Sequence, residues 1–370
     1  MISFNDVTAQ WREIEEQALP RLKDFLRKGP YILGDQVKKF EQNFADAMDV
    51  KYALGVSNGT DGLKLAVQAL EVPPDTPVIM PANAYIADAL AAACFHLPII
   101  LVDCDQYYQI DTHHLQKILK SLGNNKSILI VVHLYGQASD MATIKSMANN
   151  SYIIEDCSQA HGASIRGELV GGLGDIGVFS CYPTKNLGAI GDAGVITTNN
   201  ERLYEKLVML RNYGTLDKCD YTHMGWNHRL DDIQALFLDE KLPYMETWNE
   251  KRTVIARLYD KILGDIEEIV IPKEAPYNDG STYHLYPIRT KKREALRAYL
   301  TGHEIPTLVH YPLPIHKMTL FRHLDREDYC LNAAKYAQEV LSIPMHAFLN
   351  IKDAERVALV IKNFFTDEDI

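Results

Sequence analysis

Apolar residues in this chain fall into short runs that alternate with longer amphipathic stretches. Five runs have the length and the almost continuous apolar character of strands that are buried on both faces of a sheet. These predicted strands are residues 51–56, 78–80, 98–102, 127–134 and 152–156. Stretches with helical spacing, such as the alanine-rich residues 86–95, lie between them. Strands that alternate with helices predict an α/β fold with a mostly parallel sheet covered by helices on both faces.

The pattern also predicts how the chain divides into domains. Long helices with few breakers are predicted at residues 5–28, 36–48, 201–212 and 231–252. Beyond about residue 255 the elements become shorter, with predicted strands and helices at residues 283–289, 293–302, 307–311 and 354–365. We therefore predict a large α/β domain over residues 1–250 and a smaller α+β domain over residues 251–370.

Composition and charge exclude several classes of protein. Hydrophobic residues make up 47% of the 370 residues and charged residues 24%, which is ordinary for a globular chain and not for a disordered or fibrous one. The formal net charge of -11 argues against a nucleic-acid-binding surface, which needs a basic stripe. The six cysteines include no Cys-x-x-Cys pair, so we expect reduced thiols rather than a disulfide framework or a zinc ribbon.

The sequence predicts neither a targeting segment nor a membrane span. The first six residues hold no basic region followed by an apolar one, so we expect no secretory signal. The most apolar window, residues 87–102, contains Asp88, His96 and Pro98 and is too short to span a bilayer. We expect a soluble, cytoplasmic protein with neither a membrane nor a nucleic acid as its partner.

One lysine has an unusual sequence context, in the segment 179–195. Lys185 follows Pro183, which restricts the backbone, and precedes Gly188 and Gly191, which leave room around it. Such a context fits a lysine that must hold a covalent imine. An exposed lysine in an ordinary loop is the alternative, and the motif alone does not separate the two.

Two further segments lie just after predicted strands, where parallel sheets bind ligands. Residues 57–62, Ser-Asn-Gly-Thr-Asp-Gly, join a predicted strand to a predicted helix. Their N–H groups form either a phosphate site or a simple helix cap made by Ser57 or Thr60. Tyr85 either packs in the core or offers its face to a flat heteroaromatic ring.

Two acids, Glu155 and Asp156, end the strand at 152–156. Successive side chains of a strand point to opposite faces, so one acid should enter a site at this edge and the other should be structural. Residues 172–177 match the dinucleotide pattern G-x-G-x-x-G. We reject that interpretation because the true motif opens a helix, whereas a strand is predicted after Gly177.

Together these residues match the needs of one cofactor. Pyridoxal phosphate requires a lysine for an imine, a carboxylate for its pyridinium nitrogen, a phosphate cradle and a stacking surface. Lys185, Asp156, Ser180, the loop at 57–60 and Tyr85 supply this set if they meet at one edge of the sheet. The lysine would then also carry a proton between the substrate and the cofactor.

The ordered set of motifs resembles the fold-type-I, pyridoxal-phosphate-dependent nucleotide-sugar aminotransferases of the DegT/StrS kind. The segments that carry the resemblance are Ile2-Ser-Phe-Asn, Ser57-Asn-Gly-Thr, Glu155-Asp-Cys-Ser-Gln-Ala-His-Gly162, Tyr182-Pro-Thr-Lys-Asn-Leu-Gly188 and His310-Tyr-Pro-Leu-Pro-Ile-His316. They span nearly the whole chain. The resemblance implies a large domain with a mostly parallel sheet between helices, followed by a smaller C-terminal α+β domain.

The resemblance also implies roles for individual residues at the cofactor. Lys185 would form the imine, Asp156 would pair with the pyridine nitrogen, and Gln159 would bond the ring hydroxyl. Tyr85 would stack on the ring. The residues implied to hold the phosphate are Gly59, Thr60 and Ser180.

A second subunit and the substrate are implied in the same way. Asn227 would reach the phosphate of the neighbouring subunit, which implies a homodimer with shared active sites. The residues implied to face the substrate are Tyr182, His310, Tyr311 and His316. No metal is expected, since the pair His113-His114 lies at a predicted helix start without a carboxylate at ligand spacing.

Enzymes of this kind move an amino group, usually from L-glutamate, to a keto-sugar linked to a nucleoside diphosphate. The segments Tyr182-Pro-Thr-Lys-Asn-Leu-Gly-Ala and Gly191-Asp-Ala-Gly194 resemble the group that acts at C3. This favours a dTDP-3-keto-6-deoxyhexose 3-aminotransferase that makes an amino sugar for O-antigen, S-layer or antibiotic glycans. The alternatives are amination at C4, a non-catalytic regulatory relative, and a sugar dehydratase, in whose relatives a His replaces the lysine.

Overall fold

The computed structural model describes residues 2–217, 219–325 and 329–366 of the chain. The helices of these residues are α1 Val7–Lys28, α2 Asp35–Ala47, α3 Gly59–Ala69, α4 Ile86–Ala93, α5 Thr112–Leu122, α6 Met141–Met147, α7 Glu201–Leu210, α8 Asp232–Lys241, α9 Met245–Leu263, α10 Arg293–Gly302, α11 Leu331–Glu339 and α12 Ile351–Thr366. The strands are β1 Tyr52–Val56, β2 Val78–Pro81, β3 Ile99–Val102, β4 Ser127–Val132, β5 Ser151–Asp156, β6 Ser164–Ile165, β7 Glu168–Leu169, β8 Ile176–Ser180, β9 Gly194–Thr198, β10 Tyr286–Arg289 and β11 Val340–Ile343.

Seven strands form the central sheet in the order β1-β9-β8-β5-β4-β2-β3. Strand β9 is antiparallel to both of its neighbours, and the other pairs are parallel, so six strands run in one direction. The predicted mostly parallel sheet is therefore confirmed. The carboxyl ends of the parallel strands lie along one edge, where a ligand site is expected in such a sheet.

Apolar side chains of the sheet alternate between two separate cores. In β4, Ile128 and Ile130 pack with α3, α4 and α7 on one face, while Leu129 and Val131 pack with α2, α5, α6 and α8 on the other. Alternation along a strand sends consecutive side chains to opposite faces. Both faces are covered because both carry apolar residues, as the continuous apolar run predicts.

A third core lies in the C-terminal part of the chain. The antiparallel pair β10–β11 packs there with α9, α10 and α12, and Ile2 from the start of the chain joins them. Helix α9 spans the predicted boundary at residue 250, because Met245 belongs to a core of the large sheet and Ile255 to the third core. The division into domains 1–250 and 251–370 stays a prediction.

Two predicted elements are wrong. The single helix expected at 231–252 is interrupted by a 3-10 turn at Leu242–Tyr244 that contains Pro243, which lacks the N–H needed to continue a helix. The strand expected at 307–311 is absent, and Leu308 makes only an isolated bridge to Ser342. Proline flanks this segment on both sides and cannot donate to a ladder.

Among the residues that the structure describes, no helix has the length and apolar character needed to cross a membrane.

Candidate active site

A cavity of about 610 Å³ opens at the carboxyl edge of the sheet. Its wall includes ten of the twelve residues predicted for the site, namely Gly59, Thr60, Tyr85, Asp156, Gln159, Ser180, Tyr182, Lys185, His310 and Tyr311. They come from separate elements: the start of α3, the residue before α4, the ends of β5 and β8, and the segment before the 3-10 turn at Ile315–Lys317. The chain therefore brings together residues that lie more than 250 positions apart in the sequence.

Lys185 lies in a tight turn after β8. Its N–H donates to the carbonyl of Tyr182 at 2.8 Å. Burial lowers the pKa of the Lys185 amine to about 8, although the charge of Asp156 partly opposes that shift. A lysine with such a pKa holds and releases a proton near neutral pH, which an exposed lysine does not.

Hydrogen bonds fix the backbone on both sides of Lys185. They come from the N-terminal segment of the chain and from the side chain of Asn186, the residue after the lysine. Nε2 of Gln10 donates to the carbonyl of Asn186 at 3.3 Å, and Nδ2 of Asn5 donates to the carbonyl of Thr184 at 3.0 Å. The buried Asn186 side chain donates to Oδ1 of Asn249 at 2.8 Å and to the carbonyl of Thr282 at 2.9 Å. These contacts connect the turn to the N-terminal segment, to α9 and to the segment before β10.

The turn that bears Lys185 brings the backbone of Gly188 close to the backbone of Pro183. A Cβ added there would lie 2.4 Å from the carbonyl oxygen of Pro183, so a larger residue cannot be accommodated without moving the backbone. Nζ of the buried Lys241 donates to the Gly188 carbonyl at 2.6 Å. The close packing within the turn therefore explains why a glycine occupies position 188.

Glu155 and Asp156 face opposite sides of the sheet, and Glu155 is the structural acid. Its two oxygens accept three backbone N–H groups at 2.7–3.0 Å, those of Gly171, Leu173 and Gly174. The rejected dinucleotide pattern at 172–177 therefore encloses a carboxylate of the chain itself. Ligand atoms of His133, Glu155 and Cys157 lie within 4.8 Å of one another, but protein donors already occupy both Glu155 oxygens.

Asp156 is the acid that lines the cavity. It ends β5, is 5% exposed, and its Oδ1 accepts the N–H of Ser158 at 2.9 Å. Its negative charge acts on the amine of Lys185 across the cavity. The edge of the sheet thus places a carboxylate and an amine in the same enclosed space.

The N-terminus of α3 presents free donors to the cavity. The helix is capped by Asn58, not by Ser57 or Thr60, and the Asn58 Oδ1 accepts the N–H of Asp61 at 2.8 Å. Among the described residues, the N–H groups of Gly59 and Thr60 have no acceptor, and they lie at the positive end of the helix dipole. This geometry is that of an anion site.

Ser180 completes this corner of the cavity. It ends β8 beside α3, and a Cβ added at Gly59 would lie 2.8 Å from the Ser180 Cβ. Only glycine allows the strand and the helix terminus to come this close. A hydroxyl and two free amides therefore converge where a phosphate group would fit.

Two tyrosines, Tyr85 and Tyr311, also line the cavity. The Tyr85 and Tyr311 rings lie with their centroids 5.3 Å apart, and the side chain of Tyr85 remains half exposed. Nε2 of Gln159 donates to the Tyr311 hydroxyl at 2.9 Å, while its Oε1 accepts the N–H of Tyr135 at 2.7 Å. Burial raises the pKa of the Tyr311 phenol, so this hydroxyl stays protonated.

Two histidines of the cavity are uncharged at neutral pH. Nδ1 of His310 lies 2.9 Å from the hydroxyl of Ser342, and burial together with the Lys185 charge lowers the pKa of His310 to about 4. His284 lines the cavity as well, and its Nδ1 lies 3.1 Å from Oδ1 of Asn186, while burial lowers the pKa of this imidazole well below its ordinary value. His284 was not predicted for the site, although its place in the predicted strand 283–289 was the available signal.

Two predicted residues lie outside the cavity wall. Asn227 is exposed in the segment that precedes α8, where it makes an isolated bridge to Asn212. His316 is buried in the 3-10 turn at Ile315–Lys317, and neither ring nitrogen has a hydrogen-bond partner among the described residues. Their predicted roles, at a partner subunit and at the substrate, stay predictions.

Comparison with known protein families assigns the chain. Residues 12–362 match the model of the DegT/DnrJ/EryC1/StrS aminotransferase family. The chain belongs to this family.

Relatives in this family carry different names. The chain is 38% identical to the dTDP-3-amino-3,6-dideoxy-alpha-D-galactopyranose transaminase of Aneurinibacillus thermoaerophilus, over 98% of this chain and 99% of the relative. It is 36% identical to a pleiotropic regulatory protein of Geobacillus stearothermophilus, over 97% of each. It is 31% identical to the GDP-perosamine synthase of Escherichia coli O157:H7, over 78% of this chain and 79% of the relative.

Solved structures of the DegT family agree with the fold and identify the cofactor. DesV of S. venezuelae has a TM-score of 0.94 at 34% identity and covers 98% of both chains. NtdA of Bacillus subtilis, solved with the bound cofactor PMP, has a TM-score of 0.90 at 26% identity over 99% of this chain and 85% of that chain. The fold-type-I assignment is confirmed, and the protein is a pyridoxal-phosphate-dependent aminotransferase.

The cavity of this DegT-family chain suits the cofactor on its own geometry. The free amides of Gly59 and Thr60 match a phosphate, the Asp156 carboxylate matches a protonated ring nitrogen, and Lys185 supplies an amine. Each group lies on a strand end or a helix end, or in the tight turn after β8, rather than on a long loop, and positions on such elements hold a ligand precisely.

Proposed function

We propose that this protein transfers an amino group from L-glutamate to C3 of a 3-keto-6-deoxyhexose carried by a nucleoside diphosphate, most simply dTDP. The observation that carries the proposal is the meeting of Lys185 and Asp156 in one cavity beside the free amides at the start of α3. When bound, pyridoxal phosphate supplies an aldehyde that accepts the amino group and a ring that takes up the electron pair released from carbon.

Lys185 is proposed as the group that moves the proton. Because the pKa of its amine is lowered to about 8, Nζ takes a proton from carbon and returns it near neutral pH. Asp156 holds a proton at the ring nitrogen, since a carboxylate stabilises the protonated form of an adjacent base. Retention of both groups argues against a sugar dehydratase, for which we expect a His in place of Lys185.

Residues on the remaining wall are proposed to face the sugar. Tyr182 is half exposed and lines the cavity together with Lys185. The uncharged imidazole of His310 and the protonated phenol of Tyr311 line it as well. Neutral hydrogen-bonding groups suit a polyhydroxylated sugar, because they bind hydroxyls without repelling or attracting charge. His316 is proposed as a more distant contributor, since it lies outside this wall.

Amination at C3 is supported by the Lys185 segment and by the name of the 38% identical transaminase. Amination at C4 is the second candidate, because the family also includes the GDP-perosamine synthase, a C4 aminating enzyme. One relative is named a regulatory protein. The lysine and the carboxylate that line one cavity of this chain support an enzyme over a non-catalytic regulatory relative.

We further propose a homodimer with shared active sites. The segment before Asn227 carries large apolar side chains that are 47–76% exposed, namely Tyr213, Leu216, Tyr221 and Met224. Exposed apolar residues grouped in this way mark an interface. Asn227, exposed on the same segment, would then approach the phosphate corner of the other subunit. A cytoplasmic location stays a prediction.

One experiment tests the reaction. The protein is incubated with pyridoxal phosphate, L-glutamate and a panel of 3-keto and 4-keto nucleotide sugars, and the new carbon–nitrogen bond is located by NMR. Amination at C3 of a dTDP-linked sugar is expected. A product aminated at C4 would show that the second candidate is correct, and the absence of an aminated product from every sugar of the panel would contradict the proposed substrate class.

Subunit complementation tests the shared site. In a mixed dimer of Lys185→Ala and Asn227→Ala chains, one site carries both changes and the other carries neither. Random mixing should restore about a quarter of the wild-type activity, since half of the dimers are mixed and each has one intact site. A mixture no more active than its two components would contradict the shared site.

A further inference from the structure

One buried acid near the cavity remains unexplained by the proposed reaction. Asp88 lies in the first turn of α4, a helix whose other residues are isoleucine, leucine and alanine. Its relative exposure is 0%, and neither of its carboxylate oxygens has a hydrogen-bond partner among the described residues when both are treated as acceptors. An unpaired ionised carboxylate in such surroundings is very costly.

The charged group that faces Asp88 is the carboxylate of Asp156. Burial raises the pKa of Asp88 well above its ordinary value, and the neighbouring Asp156 raises it further. The oxygens of two carboxylates cannot bond to each other unless one of them carries a proton. With one proton, the pair becomes a donor and an acceptor, and the orphaned oxygens of Asp88 gain a partner.

The surroundings decide which acid keeps the proton. Asp156 accepts the N–H of Ser158 at 2.9 Å, borders the cavity and interacts with the Lys185 amine. Asp88 has none of these partners and is fully enclosed. The other titratable groups that act on the pair are the Tyr311 phenol and the Cys157 thiol, whose pKa values are raised by burial, so both are uncharged at neutral pH.

We propose that Asp88 is a positioning residue, which keeps its proton at neutral pH and donates it to Asp156 in a hydrogen bond. The pair then carries a single negative charge. Asp88 fixes the Asp156 carboxylate on the side away from the cavity, so that its remaining lone pairs face the ligand. The catalytic consequence rests on the proposed role of Asp156, but the shared proton is a property of the protein without cofactor.

The shared proton is tested by infrared spectroscopy of the cofactor-free protein. The wild type at neutral pH should show the carbonyl stretch of a protonated carboxyl group, and Asp88→Asn should lack it. The matched control is Asp75→Asn, which changes an exposed acid before β2 and should keep the band. A wild-type spectrum whose band survives in Asp88→Asn would overturn the proposal.

Thermal stability across pH provides a second readout without the cofactor. A protonated Asp88 ionises on unfolding at neutral pH, because the pKa of an aspartate in an unfolded chain is near 3.9. The folded state therefore binds one more proton, and the stability of the wild type falls as pH rises. Asparagine does not titrate, so the melting temperature of Asp88→Asn minus that of the wild type should increase between about pH 5 and pH 8. A constant difference would contradict a protonated Asp88.

Cofactor affinity separates a positioning role from a merely structural one. Asp88→Ala removes the donor and should weaken pyridoxal phosphate binding about tenfold, the effect of one hydrogen bond to a charged group. Asp88→Asn restores a donor and should recover most of this loss, and Asp88→Thr serves if the asparagine variant does not fold. Equal losses in the alanine and the donor variants would overturn the proposal. If the wild type bound no cofactor, the proposed function would fail while the infrared band still tested Asp88.

Discussion

The His133 Nε2 donates to an oxygen of Glu155 at 3.0 Å, and both side chains are completely buried. The direction of this bond follows from the other ring nitrogen, since Nδ1 accepts the N–H of Ser139 at 3.0 Å. Burial alone would raise the pKa of Glu155, but the bonds from His133 and from the Gly171 and Gly174 amides outweigh it and lower the pKa. Glu155 is thus an ionised acid that binds the backbone of the loop at 171–174.

Exchanging Glu155 for Gln should therefore destabilise the protein without removing its chemistry. The amide group of the substituted side chain would face N–H donors, so at least one buried donor loses its acceptor, and we expect the free energy of unfolding to fall by about 3 kcal/mol. Urea denaturation measures the loss. Asp156→Asn is the comparison: it should weaken cofactor binding and turnover while changing stability less. The opposite ranking of the two variants would show that the acids have been assigned the wrong way round.

Lys185→Ala should abolish the visible absorbance of the lysine-bound cofactor, which is recorded directly in the spectrum of the purified protein. Lys185→Arg keeps a positive charge but forms no imine and moves no proton near neutral pH. Its activity should fall by at least about 1,000-fold, given the usual contributions of general acid–base and nucleophilic catalysis. Residual turnover of Lys185→Arg within tenfold of the wild type would rule out Lys185 as the catalytic amine.

Gly59→Ala tests the phosphate corner. The added Cβ would lie 2.8 Å from the Ser180 Cβ, so the start of α3 must move away from β8 and its free amides with it. We expect the dissociation constant of pyridoxal phosphate to rise at least tenfold, measured by titration of the cofactor-free protein. Gly302→Ala is the matched control, since a Cβ at the end of α10 meets nothing within 4 Å. Equal affinities of the two variants would contradict a phosphate site at Gly59.

Acid should unfold this protein partly through His161. Burial and the nearby charges of Lys185 and Arg252 lower the pKa of His161 to about 3. The unfolded chain takes up a proton below about pH 6.5 and the folded protein does not, so this contribution to stability is lost as pH falls towards 3. The stability advantage of the wild type over His161→Gln should shrink by about 2 kcal/mol between pH 6.5 and 4.5.

Urea denaturation at each pH measures this difference between wild type and variant. A difference that stays constant over this range would show that His161 takes up its proton in the folded protein as readily as in the unfolded chain.

The sequence predicted the elements whose side chains leave little choice. A run such as 127–132 is apolar at every position but the first, which only a strand covered on both faces tolerates. The alternation of side chains along a strand is also enough to separate Glu155 from Asp156. It does not say which acid is structural, because that depends on the loop at 171–174, which folds back onto Glu155.

Other features required contacts between distant parts of the chain. Strand β11 begins at Val340 directly after α11, with no glycine or proline to mark the change, so its strand character comes from pairing with β10. Asp88 looks like an interruption of an apolar helix, and only its position opposite Asp156 gives it a partner. The local pattern of apolar and polar residues does not predict contacts between residues that lie far apart in the sequence.

Asn5 and Gln10 bond to the turn that bears Lys185, and Ile2 lies in the C-terminal core. Proteolytic trimming of this short segment should therefore inactivate the enzyme while leaving the sheet intact, and a bulky affinity tag fused there should do the same. The turn has all of these contacts only when the N-terminal segment, Asn249 and Thr282 have come together around it. During synthesis on the ribosome, the protein would thus become competent to load its cofactor only after the C-terminal part has emerged.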